Sequence, residues 1–261
     1  MLKTLFIGDI FAKPGRRAVE ALVPQLRHEY NLDIVIANAE NAAAGRGVTQ
    51  KIAQQMTNAG VDFMTTGNHV WDQRQFLNEI ENVPNIVRPA NVPKGTPGRG
   101  CAIAQARDGT KVAVLNLCGK VFMPYDCPFA IAKPMAERLL QETPVLIVDI
   151  HAEATSEKIA MGLHLDGIAS LVVGTHTHVQ TADETILPAG TAYITDVGMT
   201  GPHDSVIGVN PYNGVERFLT QLPPNYTPAK NDARLSAVYV EIDPETGRAS
   251  RIERLSAPAP S

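Results

Sequence analysis

Two histidines that lie two residues apart, His176 and His178, follow an apolar run that ends in Gly174. In an extended chain, side chains at positions i and i+2 point the same way, and their Cα atoms lie roughly 6.6 Å apart. Two imidazoles presented in this way can bind one metal ion, or one each of two adjacent ions about 3.5–4 Å apart. The pair alone is weak evidence, because this spacing also arises by chance.

Four other stretches of the chain end in the same way, with an apolar run followed by residues that can bind metal. Short β-branched runs without alternation are typical of strands buried on both faces of a sheet. In open α/β sheets, ligands bind just beyond the C-terminal ends of the strands. The five predicted strand ends therefore bring one set of side chains to a common site: Asp9, Glu40, Asn41, Asn68, His69, His151, His176 and His178.

The order of the predicted elements indicates the fold that positions these residues. Strands near 2–8, 33–38 and 61–66 alternate with helices that start near Pro14 and after an N-cap at Thr49. This alternation predicts right-handed crossovers and a parallel sheet core.

The second half of the chain adds further strands and helices. A hairpin turn at Asp108-Gly109 and late strand pairs indicate mixed sheets. We therefore predict an α/β fold with two mixed sheets packed face to face and helices outside. Helices are expected at 129–142, 155–164 and 211–222, and a glycine-rich loop at 196–203.

Length and composition are ordinary for a globular protein. The 261 residues, 44% hydrophobic and 19% charged, suffice for one large α/β domain. Length alone also allows two domains, but no linker-like stretch separates the halves. We expect one domain over 1–255 and a frayed tail over 256–261. The formal charge of −4 disfavours a nucleic-acid duplex as a partner, whereas a metal site would still attract a small anionic substrate.

Three features of the sequence indicate the cellular location that we expect for the protein. The N-terminus lacks the pattern of a signal peptide, and no apolar segment approaches the ~20 residues that span a bilayer. The cysteines Cys101, Cys118 and Cys127 lack metal-type spacing, which favours reduced, largely buried thiols. We expect a cytoplasmic protein without membrane association.

The donor set indicates which metals would bind. Apart from His69, it contains three imidazoles, two carboxylates and two amides, and no thiolate. Such a set suits Mn, Fe, Zn, Co or Ni better than Mg or Ca alone. Glu40 is the better candidate to bridge two ions, because Asn41 beside it can add an amide oxygen. Asp9 could instead cap the first helix.

His69 has a different expected role. It follows Asn68 directly, so the two side chains diverge and are not expected to share an ion. Because an imidazole ordinarily titrates near neutral pH, His69 could protonate a leaving alkoxide; the alternative is that it only orients a neighbour. Asp149 could support the site or merely end a strand. The roles of Arg46 and His203 stay open, and Asp72 is expected to cap the next helix.

The ordered set Asp9, Glu40-Asn41, Gly67-Asn68-His69, His151 and Gly174-Thr-His-Thr-His178 resembles the calcineurin-like metallophosphoesterases. Their pattern is Asp-x-His, Gly-Asp, Gly-Asn-His, a lone His and Gly-His-x-His. Two departures, Phe11 for the first histidine and Glu40-Asn41 for the usual aspartate, make the chain similar to the bacterial YmdB-type branch.

This resemblance implies a four-layer sandwich, two mixed sheets flanked by helices, and a pair of divalent or trivalent ions, most often iron or manganese. It further implies that one ion is held by Asp9, Glu40, Asn41 and His178. The other would be held by Glu40, Asn68, His151 and His176, with His69 as the proton donor. Similar proteins often associate, which raises a homo-oligomer as an expectation.

The resulting hypothesis is a dinuclear phosphodiesterase for small phosphodiesters, in which a hydroxide generated by the ions attacks phosphorus and His69 assists departure. The resemblance points to 2′,3′- and 3′,5′-cyclic nucleotides, including cAMP, as substrates. One alternative is a phosphomonoesterase on the same site. Another is a regulatory or RNA-associated metalloprotein with slight phosphodiesterase activity.

Overall fold

The structure is a computed structural model that describes residues 1–223 and 226–260. Thirteen strands lie in this part of the chain: β1 (Leu2–Ile7), β2 (Asp9–Ile10), β3 (Ile34–Asn38), β4 (Phe63–Thr65), β5 (Cys101–Gln105), β6 (Lys111–Cys118), β7 (Leu146–His151), β8 (Leu171–Thr175), β9 (Thr185–Ile186), β10 (Ala192–Ile194), β11 (Met199–Pro202), β12 (Ala233–Ile242) and β13 (Ala249–Pro258).

Helices connect many of these strands. In the described residues they are α1 (Ala12–Glu29), α2 (Gln50–Asn58), α3 (Phe76–Glu79), α4 (Pro128–Leu139), α5 (Thr155–His164) and α6 (Pro211–Thr220), with a 3-10 turn at Ile80–Asn82. The Thr49 hydroxyl accepts a hydrogen bond from the Ile52 amide, which confirms the predicted cap of α2. No helix in these ranges is both long and apolar enough to cross a membrane.

The strands form two mixed sheets. The first has the order β2-β11-β12-β1-β3-β4, with β13 paired to β12, and the second has the order β5-β6-β7-β8-β10-β9. Strands β1, β3 and β4 run parallel to one another, as do β6, β7, β8 and β10. The parallel strands in each sheet therefore end at one edge, where the residues that follow them can meet.

Three hydrophobic cores separate the layers. Alternate residues of β1 face opposite sides, so that Leu5 and Ile7 pack toward α1 and α2 while Phe6 packs between the sheets. The side chains of β7 alternate in the same way: Ile147 joins the core between the sheets, and Val148 packs toward α4 and α5. The predicted four-layer sandwich of two mixed sheets flanked by helices is confirmed.

Several predicted boundaries were wrong. The predicted loop at 196–203 contains strand β11, which pairs with both β2 and β12. Strand β13 runs to Pro258 and the Ala259 amide donates to the Ala233 carbonyl, so the tail does not fray at 256 as predicted. The cysteines are free, but only Cys118 is buried.

Candidate metal centre

Seven of the eight sequence-predicted side chains meet at the edge where the parallel strands end, and the side chain of the eighth, His69, lines the cavity beside them. Glu40 Oε1 lies 3.0 Å from His151 Nε2, which lies 3.0 Å from His176 Nδ1 and 3.0 Å from Asn68 Oδ1. This first group of four, Glu40, Asn68, His151 and His176, joins strand ends from both sheets.

A second group of side chains shares Glu40 with the first. Asn41 Nδ2 lies 3.1 Å from Glu40 Oε1 and 3.0 Å from His178 Nε2. His178 Nε2 in turn lies 3.9 Å from Asp9 Oδ1. Phe11 packs its ring edge-on against the His178 ring, with centroids 5.7 Å apart. An aromatic ring thus packs against His178, and Asn41 makes the polar contact to its Nε2.

The hydrogen bonds that His151 and His178 make away from the cluster determine which ring nitrogen of each faces the cluster. The Thr175 hydroxyl donates to Asp149 Oδ1 (2.7 Å), so it accepts from His151 Nδ1 (2.8 Å). The Ile207 carbonyl accepts from His178 Nδ1 (2.9 Å). Each bond directs Nδ1 away from the cluster and Nε2 toward it, which is the arrangement found around metal-binding histidines.

His176 is oriented the opposite way. The Glu153 carboxylate accepts from its Nε2 (3.1 Å), so Nδ1 carries the lone pair that faces His151 Nε2. Because His151 Nε2 and His176 Nδ1 lie 3.0 Å apart, a proton on His151 Nε2 or a cation must lie between them. The Asp9 Oδ1 atom is also buried without a hydrogen-bond partner among the described residues. Both features fit a bound cation.

The shape of the cluster fits an ion as well. A β-carbon at Gly67 would collide with Glu40 Oε2 and with the His151 ring. Glycine at this position therefore keeps the space between these two side chains free. The ligand atoms of Glu40, His151 and His176 all lie within 4.8 Å of one another, as the donors of one metal ion would.

The electrostatics show how strongly this cluster attracts positive charge. Burial raises the pKa of Asp9 to about 6, although His178 and His151 lower it. Burial opposes ionisation of Glu40, but His151 brings the pKa of Glu40 down to about 2. Burial also opposes the charge on His151, but Glu40 raises its pKa to about 9. A proton on His151 thus balances Glu40, and a bound cation would displace it.

His69 lies apart from both groups of donors. Its backbone amide donates to Glu40 Oε2 (3.1 Å), and its side chain lines the cavity in front of the cluster. The Asp72 carboxylate accepts from His69 Nδ1 (2.9 Å), which leaves Nε2 available for a substrate. The prediction that Asp72 caps the next helix was wrong, because α3 starts after Gln75 and has no side-chain cap.

A buried ion pair beneath the His-Thr-His turn was not predicted. Lys158 Nζ donates to Asp196 Oδ2 (2.6 Å) and to the Thr177 hydroxyl (3.1 Å), and both charged side chains are fully buried. The same carboxylate oxygen accepts from the Thr177 amide. His176 and His178 have φ angles of 96° and 66°, in the left-handed region that costs energy for non-glycine residues. The pair therefore holds this strained turn in place.

We expect Lys158→Met to destabilise the protein by about 3–5 kcal/mol, because it leaves the Asp196 carboxylate buried without its cation. Urea unfolding measures this loss, and Lys158→Met combined with Asp196→Asn should recover part of it. Lys111→Met is the matched control, since Lys111 and Glu142 form a surface pair at 3.6 Å that is more than half exposed. It should cost about 0–1 kcal/mol. Equal losses in the two single variants would contradict this role.

Sequence signals for the missed residues differ in strength. Lys158 lies three and four residues before the buried Met161 and Gly162, so helical periodicity would have placed it on the inner face of α5. Glu153, two residues after His151, has no such signal, because its contact with His176 depends on how two loops meet.

The fold and the cluster at its strand ends define the class of protein to which the chain belongs, that of the metallophosphoesterase fold. The sulfate thiohydrolase SoxB from Thermus thermophilus shares this fold, with a TM-score of 0.60 and 11% identity over 97% of this chain and 43% of that one. More specifically, the chain belongs to the YmdB-like protein family, whose model matches residues 5–255.

Closer relatives cover nearly the whole chain. A 2′,3′-cyclic-nucleotide 2′-phosphodiesterase from Bacillus subtilis is 49% identical over 255 residues, 97% of this chain and 96% of that protein. A solved hypothetical protein from Thermus thermophilus has a TM-score of 0.92 and 42% identity, over 99% of this chain and all (100%) of that one. A solved novel phosphatase from Mycoplasma pneumoniae has a TM-score of 0.91 and 36% identity, over 98% and 93% of the two chains.

Proposed function

We propose that the protein is a metal-dependent phosphodiesterase that hydrolyses small phosphodiesters, with cyclic nucleotides as its substrates. The observation that carries this proposal is the division of the cluster into two donor groups that share Glu40, next to a cavity that His69 lines. The name of the 49% identical Bacillus subtilis relative, a 2′,3′-cyclic-nucleotide 2′-phosphodiesterase, supports the same reaction class.

Two metal ions would occupy the two donor groups. Asp9, Glu40, Asn41 and His178 would hold one, and Glu40, Asn68, His151 and His176 the other. For Asn41, a rotation of the amide would turn Oδ1 toward the ion. Because the donors are nitrogen and oxygen without sulfur, we favour iron or manganese, ahead of zinc, cobalt or nickel. When bound, such ions supply positive charge for phosphate oxygens and lower the pKa of water to near neutral.

The chain's own residues provide orientation and proton transfer. Glu153 and the Ile207 carbonyl hold His176 and His178 in the tautomers that present a lone pair to the cluster. Asp72 holds the His69 ring by Nδ1, so that a proton on Nε2 can pass to the departing alkoxide of the substrate.

The type of ester is tested by comparing bis-p-nitrophenyl phosphate with p-nitrophenyl phosphate after loading with manganese. We expect a higher kcat/KM for the diester, because a monoester carries an additional negative charge that a diesterase site need not accommodate. Both substrates release the same chromophore, so a single assay compares them. A higher kcat/KM for the monoester would contradict the proposal.

That contrary result would favour the second candidate function, a phosphomonoesterase. The specific observation in its favour is the naming of the Mycoplasma relatives: a putative phosphatase/phosphodiesterase from Mycoplasma genitalium is 36% identical over 97% of this chain, and the solved Mycoplasma pneumoniae protein is called a phosphatase.

The proposal extends to the cellular location and the oligomeric state of the protein. We propose that the protein acts in the cytoplasm and forms a homo-oligomer. Helix α6 and the residues just after it support association, because they expose three large apolar side chains, Phe218 and Leu219 in the helix and Leu222 beyond it. Contiguous exposed apolar residues commonly mark protein–protein contacts, and light scattering would determine the mass in solution.

A further inference from the structure

The cavity in front of the candidate metal centre has two chemically different sets of lining residues. It has a volume of about 550 Å³, within the range of small-molecule sites. Glu40, His69 and His178 form the first set, and the phosphate of a substrate would bind beside them. The second set consists of apolar and aromatic side chains together with one cation: Ile207, Val209, Tyr226, Pro228 and Arg46.

Arg46 and Tyr226, both in this second set, contact each other although they lie far apart in the sequence. The Arg46 guanidinium carbon lies 4.7 Å from the centroid of the Tyr226 ring, which is a cation–π contact. Arg217 donates a hydrogen bond to the Tyr226 hydroxyl and so holds the outer end of the ring. Tyr226 is nevertheless 43% exposed, which leaves surface for a ligand to cover.

Hydrogen bonds hold the backbone of the loop that carries Arg46. The Gly45 amide donates to the Asn41 carbonyl (3.1 Å), and Gln73 Nε2 donates to the Arg46 carbonyl (2.9 Å). Gly45 has a φ angle of 95°, and a β-carbon there would strike the Phe11 ring. The loop that carries Arg46 is thus tied to Asn41, a proposed metal ligand.

The segment that carries Tyr226 is tied as firmly. The Thr227 carbonyl accepts from the Asn210 amide (2.9 Å), and its hydroxyl accepts from Asn213 Nδ2 (2.7 Å). The Ala229 amide donates to the Gly208 carbonyl (2.9 Å). A flat group placed between the metal centre and these two side chains would therefore meet a preformed surface.

We propose that Arg46 and Tyr226 form a subsite that binds the nucleobase of the substrate by stacking and so determines specificity for nucleotides over other phosphodiesters. This inference rests on the proposed phosphodiesterase function. Aromatic rings and guanidinium planes stack on any base, because every base has a π-face. A purine offers more area than a pyrimidine, so the subsite favours purine nucleotides.

Two roles of Arg46 can be distinguished. Its planar guanidinium could stack on the base, or its positive charge alone could attract the phosphate. Lysine keeps the positive charge but lacks the planar guanidinium. Arg46→Lys should therefore weaken nucleotide binding as much as Arg46→Ala does. If Arg46 instead contacted the phosphate only as a charge, Arg46→Lys would behave like the unchanged protein, and the stacking role would be overturned.

The experiment compares two cyclic diesters that share a five-membered phosphate ring: 2′,3′-cyclic AMP, and glycerol 1,2-cyclic phosphate, which has no base. With manganese-loaded enzyme, Tyr226→Ala should raise KM for the nucleotide about tenfold and leave kcat and both constants for the glycerol ester unchanged. Tyr226→Phe should recover most of the lost affinity, because it restores the ring. Tyr212→Ala controls for removal of an exposed tyrosine outside the cavity.

The other outcomes overturn the inference in distinguishable ways. An unchanged KM for the nucleotide in Tyr226→Ala shows that the ring does not bind the base. An equal rise for both esters assigns the residue to the phosphate instead. If the unchanged enzyme hydrolyses the glycerol ester as well as the nucleotide, the subsite is refuted while the phosphodiesterase function stands. If it hydrolyses neither, the proposed function itself fails.

Discussion

Replacing His69 with alanine is expected to lower kcat by about 10²–10⁴-fold for a cyclic nucleotide, while both metal ions stay bound. The reason is that a ribose alkoxide leaves as a strong base and needs a proton, which His69 is placed to donate. The loss should be much smaller for bis-p-nitrophenyl phosphate, whose leaving group departs as a stable anion. Steady-state kinetics on both substrates, with metal analysis of the same samples, measures this difference.

Two further variants sharpen the result. Asp72→Asn keeps His69 but weakens the hydrogen bond to Nδ1, so a smaller loss with the same dependence on the leaving group is expected. His28→Ala removes an exposed imidazole from α1 and should change nothing. Loss of metal in His69→Ala, or an equal loss of kcat for both substrates, would show that His69 is not the acid.

Replacing Glu40 with glutamine is expected to lower both metal binding and activity, with a fall in activity of about 10³-fold or more. The carboxylate belongs to both donor groups, so both ions should bind more weakly. The side chain keeps its shape but loses the charge that attracts the cations. Metal titration followed by calorimetry, together with activity at saturating manganese, separates weakened binding from damaged chemistry.

The matched controls for Glu40 are two other glutamates. Glu153→Gln keeps the ligands and only weakens the orientation of His176, so metal affinity should fall by about 10–100-fold. Glu142→Gln changes an exposed carboxylate on the surface pair with Lys111 and should leave both properties intact. Full metal binding and full activity in Glu40→Gln would refute a shared ligand.

The layers of the fold could be predicted from the sequence because strands that are buried on both faces appear in it as short runs of apolar residues. Runs such as 145–148 and 171–173 are apolar on both faces only where helices and a second sheet cover them. Boundaries were less predictable, since they depend on pairing with distant strands. Strand β11 forms by pairing with β2 on one side and with β12 on the other. Its short sequence, Met199–Pro202, does not indicate this pairing.

The cluster itself was predictable for the same reason: each side chain follows an apolar run, and parallel strands end together. What supports the cluster was not predictable in the same way. Two contacts, that of Asp72 with His69 and that of Tyr226 with Arg46, depend on the paths of loops. Loops produce no periodic pattern of apolar residues from which such contacts could be predicted. Lys158 is the exception, because a helical inner face includes it.

The most direct test is the anomalous scattering of crystals grown from protein that was purified without chelator. Two distinct metal peaks are expected, one among Asp9, Asn41 and His178 and the other among Asn68, His151 and His176, with Glu40 between them. A single peak in fully active protein, or metal bound elsewhere while this cluster holds none, would contradict the paired-ion account.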